Sequence, residues 1–226
     1  MIGKIYIQKE IGKFDNHQGV ELIDVIEQVK RQPDATEFEV YIKSLGGVVT
    51  TGFDIYNYLR SLGVPITTIG QEKVGSIATI IYMAGDTRIL DGDVEFFIHL
   101  PIAGIGYATA EEIEVYSKEV KNIENEIVKF YCDKLNLSKE AIYPLLKNET
   151  YLTSSQLEAM GFTTTRPTLQ LVAYKGAKIN SNKLNEEMSK KSKFLEVFNA
   201  LFMEAVNAKV VYTADEKELV FTDLDP

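Results

Sequence analysis

The sequence holds only two histidines, His17 and His99, so any chemistry that needs an imidazole base must use one of them. His17 sits in the polar run Asp15-Asn16-His17-Gln18-Gly19, where an exposed loop histidine without a role is the simpler reading. His99 ends the apolar run Val94-Glu95-Phe96-Phe97-Ile98 and precedes Leu100-Pro101, which sets its ring at the rim of a sheet. Upstream, Gly75-Ser76-Ile77-Ala78 places a serine where strand and loop pass into a helix, with small neighbours that leave the hydroxyl accessible. Free N–H groups and the positive end of a helix dipole would stabilise an oxyanion beside such a serine. Ser44-Leu45-Gly46-Gly47 follows an expected strand, and paired glycines let a backbone approach a ligand while presenting N–H groups. A Gly-Ser pair is equally the pattern of a plain N-cap, and Gly-Gly that of a tight turn, so each segment keeps two readings.

Order and spacing remove several classes. Val74-Gly75-Ser76-Ile77-Ala78 lacks the glycines of a Gly-x-Ser-x-Gly elbow, and no histidine follows near the C-terminus, as an α/β-hydrolase requires. The available order is serine, histidine, acid. Gly46-Gly47 lacks the spacing of a phosphate loop or a dinucleotide fingerprint, and no Walker motif is present, so no cofactor is expected and no ATPase segment lies in this chain. Two histidines and one cysteine, Cys132, are too few for a usual structural zinc site, and no metal is expected, with carboxylate sites for harder cations left open. One cysteine cannot pair within the chain, which favours a reducing compartment. The formal net charge of −9 repels a phosphate backbone, so nucleic acid is a poor partner. No stretch approaches the roughly 20 apolar residues of a membrane span, and none has signal-peptide form. A cytoplasmic protein is the expectation.

The elements that must hold these residues read as α/β. Of the 226 residues, 45% are hydrophobic and 25% charged, the balance of a globular chain able to bury a core. Short apolar runs alternate with helical periods up to about residue 175. Lys4 to Gln8, Glu37 to Ile42 and Pro65 to Ile69 read as strands, separated by helices over Val20 to Arg31 and Thr50 to Leu62. A short apolar helix runs from Ser76 to Met83, then Thr87 to Leu90 and Val94 to Ile98 read as strands flanking an Asp91-Gly92-Asp93 turn. A long helix from Ala110 to Leu135, a short one opened by Ser138, a strand at Glu149 to Leu152 and a helix capped by Thr153 or Ser154 follow.

Beyond a strand at Leu169 to Tyr174 the composition shifts. Residues 1–175 read as one domain, 176–183 as a linker, and 184–226 as an appendage with a helix over 184–208 and a hairpin at Val210 to Tyr212 and Leu219 to Thr222. The dense apolar face of that helix calls for docking onto the main domain or another subunit, or is an ordinary packed face. The chain stops directly after an expected strand, the pattern of a fragment of something longer.

With these pieces in order, the chain resembles the Clp protease proteolytic subunit family from about Lys4 to Phe162. Ser44-Leu45-Gly46-Gly47-Val48 resembles that family's Ser-Pro-Gly-Gly-x oxyanion segment, Gly75-Ser76-Ile77-Ala78 its nucleophile segment, and Phe97-Ile98-His99-Leu100-Pro101 its Met-Ile-His-Gln-Pro. Gly104 to Glu112 resembles the Gly-rich approach to its long handle helix. Asn148-Glu149-Thr150-Tyr151-Leu152-Thr153 is similar to Arg-Asp-x-Phe-Met-Ser, which puts a glutamate, Glu149, where the family usually has its triad aspartate. A surface glutamate capping the next turn is the alternative for that residue.

The resemblance implies a ClpP/crotonase-like spiral of β-α-β units with a handle helix, and a serine endopeptidase acting on extended polypeptides. It implies Ser76 as nucleophile, His99 as base, Glu149 as acid, Gly46 and Ile77 N–H as oxyanion donors, and Gly47 and Val48 along the substrate. The Glu-Thr-aromatic-x-Thr run and Met83-Ala84-Gly85-Asp86 are more similar to the phage and prophage head maturation branch. That implies a capsid or scaffold protein as substrate, a homo-oligomer built through the long helix, and a scaffold-like region from about residue 184. A crotonase-type acyl-CoA enzyme and a catalytically silent structural subunit are the other two classes left open.

Overall fold

The computed structural model describes residues 1–14 and 17–164. In chain order they form β1 (Ile2–Ile7), α1 (Leu22–Lys30), β2 (Glu37–Ser44), α2 (Val49–Ser61), β3 (Ile66–Gly75), α3 (Ile77–Tyr82) and β4 (Thr87–Ile98). Then come α4 (Ala110–Leu135), α5 (Lys139–Lys147), β5 (Thr150–Leu152) and α6 (Ser154–Ala159). The strands lie in one mixed sheet in sequence order, with β1 to β4 parallel and β5 antiparallel to β4. Parallel neighbours need a crossover, and α1, α2 and α3 supply the three that are required. The expected α/β alternation is therefore present.

Strand periodicity sets which face is covered. In β1 and β2 every second residue is buried, including Ile5, Ile7, Phe38, Val40 and Ile42. On the other face Tyr6 stacks on Tyr41 at 5.2 Å, with Lys4 over the Tyr41 ring. The open edge of β1 is closed by two glutamines, Gln28 on α1 and Gln32 just past its C-terminus. Gln32 accepts from Lys4 N–H at 2.8 Å and donates to Lys4 C=O at 2.8 Å, while Gln28 does the same for Tyr6 at 2.8 and 3.2 Å. Each side-chain amide thus occupies the place of a neighbouring strand's peptide.

Two expectations about strand length are corrected. β3 continues past Ile69 to Gly75, and Thr87 to Ile98 is one strand, because the two stretches pair with each other on both sides of a bulge. The expected turn at Asp91-Gly92-Asp93 is a bulge within β4: β3 advances from Gln71 to Lys73 while β4 advances from Asp91 to Glu95. Gly92 at φ +84° and Glu72 at φ +48° absorb the mismatch.

The long helix α4 opens with a capping box between Thr109 and Glu112. It buries Ile127, Val128, Tyr131 and Leu135 from its second half, whereas Ile113, Val115 and Tyr116 of its first half are exposed. Thr153 caps α6 with Gln156 as its reciprocal partner. Beyond α6, Arg88 holds the chain by donating to the carbonyls of Phe162 at 2.7 Å and Gly161 at 3.0 Å, and to Gly85 at 2.9 Å. Among the described residues no helix is long and apolar enough to cross a membrane. The expected strand at Leu169 to Tyr174, the linker at 176–183 and the helix and hairpin of 184–226 lie outside the described residues.

Candidate active site

The C-terminal ends of neighbouring parallel strands are where an open α/β sheet gathers its functional groups, and three of them meet here. β2 ends at Ser44, β3 at Gly75 and β4 at Ile98. One residue further along β3, Ser76 donates its N–H to Phe97 C=O at 2.8 Å and turns sharply into α3 at φ +52°, ψ −130°. A non-glycine residue in that region is strained by about 1–3 kcal/mol and persists only where its surroundings hold it. The turn carries the side chain off the strand, and Ser76 Oγ lies 2.7 Å from His99 Nε2. In the neutral tautomer bearing Nδ1–H, the hydroxyl donates to Nε2.

His99 is oriented by an aromatic stack that single-residue reasoning missed. Its ring stacks on Phe97 at 5.1 Å, and Phe97 packs on Tyr151 at 4.7 Å. Period-two alternation places Phe97 and His99 on one face of β4, and Tyr151 is Phe97's partner across the antiparallel ladder. Burial is the largest influence on the imidazole and holds its pKa below the ordinary 6.5; Glu149's charge and the Leu100 main chain act in the opposite sense. The ring is therefore neutral and able to accept a proton near pH 7.

Glu149 stands at the start of the segment that forms the same ladder. The register Phe96–Leu152, Phe97–Tyr151, Ile98–Thr150 ends one step short of His99 and Glu149, which flank the last pair. Glu149 itself stands at φ +51° just before β5 and is exposed. No hydrogen bond joins it to His99 among the described residues, so its action on the ring in this arrangement is through charge.

Gly46 lies against the nucleophile. A Cβ built on it would stand 2.6 Å from Ser76 Cβ, 2.8 Å from Gly75 O and 3.1 Å from Ile77 N, and its φ is +102°. Only glycine fits there without displacement. Ile77, the first residue of α3, has no intrahelical acceptor for its N–H. The Gly46 N–H is engaged: it donates to the buried Ser44 hydroxyl at 3.1 Å. An oxyanion at this position would take over that donor from Ser44.

The next two residues are tied to Ile11. Ile11 N–H donates to Gly46 C=O and Val48 N–H to Ile11 C=O, both at 2.8 Å, and Gly52 N–H bonds Val48 C=O at 3.1 Å. By the alternation of such a bridge, Gly47 keeps its own N–H and C=O directed away from Ile11. The Val48 N–H is committed, so an extended ligand would meet Gly47 through main chain and Val48 through side chain. Beside Ser76 and His99, a cavity of about 20 Å³ is lined by Val49, Ile77, Ile80, Pro101, Ile127 and Tyr131.

His17 lies apart from this constellation in sequence and bonding; it pairs with Glu10 and stacks on Phe14 at 4.7 Å. Among the described residues no group of three or more His, Cys, Asp or Glu side chains is placed to hold a metal ion.

The chain is similar to known proteins in sequence family and in fold. A family model described as Clp protease matches residues 3–165. Among solved structures, a variant of ClpP1 from Listeria monocytogenes superposes with a TM-score of 0.60 at 21% identity, over 71% of this chain and 88% of that one. At that identity the superposition speaks for the fold, a ClpP-like α/β architecture with a mixed sheet and flanking helices. The family match spans well over half of the chain, and this protein belongs to the Clp protease family.

Proposed function

We propose that the chain is a serine endopeptidase acting on extended polypeptides through Ser76, His99 and Glu149. The 2.7 Å contact between Ser76 Oγ and His99 Nε2, beside a glycine backbone pressed against the serine, carries this reading. Ser76 Oγ attacks the peptide carbonyl carbon as its proton passes to His99 Nε2. The carbonyl π electrons move onto oxygen, which the N–H groups of Gly46 and Ile77 receive. Collapse of the tetrahedral intermediate expels the amine, which takes the proton back from His99 and leaves an acyl group on Ser76. Water, deprotonated by the same imidazole, then releases the acid. Glu149 favours the imidazolium that forms at each proton transfer. Gly47 offers main-chain groups to the substrate strand, with Val48 alongside.

The finer reading is a spiral of β-α-β units of the phage or prophage head maturation branch. Its support is the run Glu149-Thr150-Tyr151-Leu152-Thr153 and the segment Met83 to Asp86. On this reading a capsid or scaffold protein is the substrate, in the host cytoplasm or prohead, and the sequence of 184–226 is a scaffold-like appendage. A homo-oligomer would form through the exposed apolar residues of the first half of α4, Ile113, Val115 and Tyr116.

One observation favours a second reading, a catalytically silent subunit: Glu149 is exposed and makes no hydrogen bond to His99. Labelling with a fluorophosphonate, followed by mass spectrometry of the modified peptide, separates the two. Modification at Ser76 with peptide turnover, both lost in Ser76→Ala, is the expected result; an assembled, folded protein that neither labels nor cleaves is the silent subunit.

A further inference from the structure

The oxyanion donor on Ile77 belongs to the peptide plane that also carries Ser76 C=O. In a trans peptide the C=O and N–H point in opposite directions, so whatever fixes the carbonyl aims the N–H. Here the carbonyl is fixed twice by one residue: Thr79 N–H donates to Ser76 O at 3.0 Å and Thr79 Oγ1 donates to it at 2.5 Å. Thr79 Oγ1 is also 2.5 Å from Tyr131 Oη of α4. A carbonyl can only accept, so the single Thr79 hydroxyl proton goes to Ser76 and Tyr131 must be the donor to Thr79.

This chain of bonds is sealed from solvent. Thr79 is 0% exposed and Tyr131 2%. Burial pushes the Tyr131 phenol far above its ordinary value, which keeps the donor protonated. The Ser76 backbone that it holds is the one at φ +52°, ψ −130°, a conformation that needs such restraint. Tyr131 is among the residues lining the cavity beside Ser76, whereas the fully buried Thr79 is not and cannot touch a substrate.

We propose that Thr79 and Tyr131 are positioning residues for the oxyanion site: the relay from Tyr131 through Thr79 to Ser76 C=O aims the Ile77 N–H at the reacting carbonyl oxygen. The inference rests on the peptidase reading above. It makes Thr79 a determinant of transition-state stabilisation without contact to substrate.

The test uses the full chain, with rates expressed per active site titrated by fluorophosphonate. Thr79→Val keeps size and removes the hydroxyl, so kcat should fall about tenfold or more with KM within twofold. Affinity for a peptide boronic acid, whose tetrahedral adduct on Ser76 places an oxygen at the oxyanion position, should fall by the same factor. Affinity for the matching product peptide should hold. Thr79→Ser should restore kcat, and Tyr131→Phe, which leaves the Thr79 bond intact, should give a smaller loss. Thr79→Val at full kcat per site, boronate and product affinities falling together, or Thr79→Ser as impaired as Thr79→Val would each overturn the proposal. If Thr79→Val does not fold, Tyr131→Phe decides: unchanged kcat and boronate affinity overturn it. Failure of the wild-type chain to label at Ser76 overturns the peptidase reading and this inference with it, whereas labelling with unaffected variants overturns this inference alone.

Discussion

Glu149 directly precedes β5 and His99 directly follows β4, two strands paired antiparallel, and the charge of Glu149 opposes the depression of the imidazole pKa, yet no hydrogen bond links them among the described residues. A carboxylate that acts through charge stabilises the imidazolium without fixing the ring's tautomer, a task left to packing on Phe97 and the Leu100 main chain. Removing it should then be a moderate rather than a total loss.

The pH profile carries the sign. His99 must be neutral to accept the Ser76 proton, so activity is lost as pH falls through its pKa, and burial places that acidic limb below 6.5. Glu149 raises the pKa; Glu149→Gln should therefore move the limb to still lower pH while lowering kcat about tenfold, roughly 1.4 kcal/mol of barrier. Rates of peptide cleavage from acid to neutral pH check this. A limb that moves upward contradicts the assigned role of the carboxylate.

Gly46→Ala tests the approach of the oxyanion segment to the nucleophile. The added methyl would sit 2.6 Å from Ser76 Cβ at a φ of +102°, so the segment or the serine must withdraw. Loss of one oxyanion donor costs about 2.7–4 kcal/mol, and kcat should fall by about 10²–10³. Circular dichroism should keep its helix and strand content, since the disturbance is confined to the strand ends.

Much of this site was legible because it lies in strand-end segments. The order serine, histidine, acid needs no tertiary information, and the positions of Ser76, His99 and Gly46 follow from the strands preceding them. The strand break expected at Asp91-Gly92-Asp93 failed because a local turn signal was outweighed by continued pairing with β3, which a single sequence does not display. Thr79 and Tyr131 were illegible for a related reason. Both occur in apolar helical runs and read as core, and only the crossing of α3 and α4 gives their hydroxyls a shared purpose. Val48 is expected along the substrate, but its N–H is taken by Ile11, a pairing set by a loop whose path the sequence does not specify.

The glutamine pair formed by Gln28 on α1 and Gln32 beyond its end makes a prediction about association. Gln28→Ala with Gln32→Ala would leave the N–H and C=O of Lys4 and Tyr6 without their partners on the edge of a parallel sheet. Each pair of lost bonds should cost about 1 kcal/mol of stability. The free edge should also promote strand-to-strand association. Denaturant midpoints and sedimentation velocity read the two effects, and an unchanged midpoint with unchanged mass would remove the edge-closing role.

Arg88 makes a prediction about the segment that ends the described domain. Its guanidinium donates to three carbonyls, Gly85, Gly161 and Phe162, and its own N–H donates to the Thr164 hydroxyl at 2.7 Å. Phe162 is fully buried, packing on Phe96 at 5.2 Å and on Tyr131 at 5.8 Å, so the cation fastens a segment that carries a core aromatic. Arg88→Met keeps an unbranched apolar stem but removes the guanidinium and leaves the three carbonyls without this donor. Bonds from a charged donor are worth about 1.5–3 kcal/mol each in favourable cases, and partial rehydration of the carbonyls offsets part of the loss. A net destabilisation of about 3 kcal/mol is expected. Limited proteolysis should open first between Leu157 and Thr164 in the variant, because release of Phe162 unfastens this segment before the sheet itself. Cleavage elsewhere at the same rate as in the wild-type chain would place the restraint on another contact.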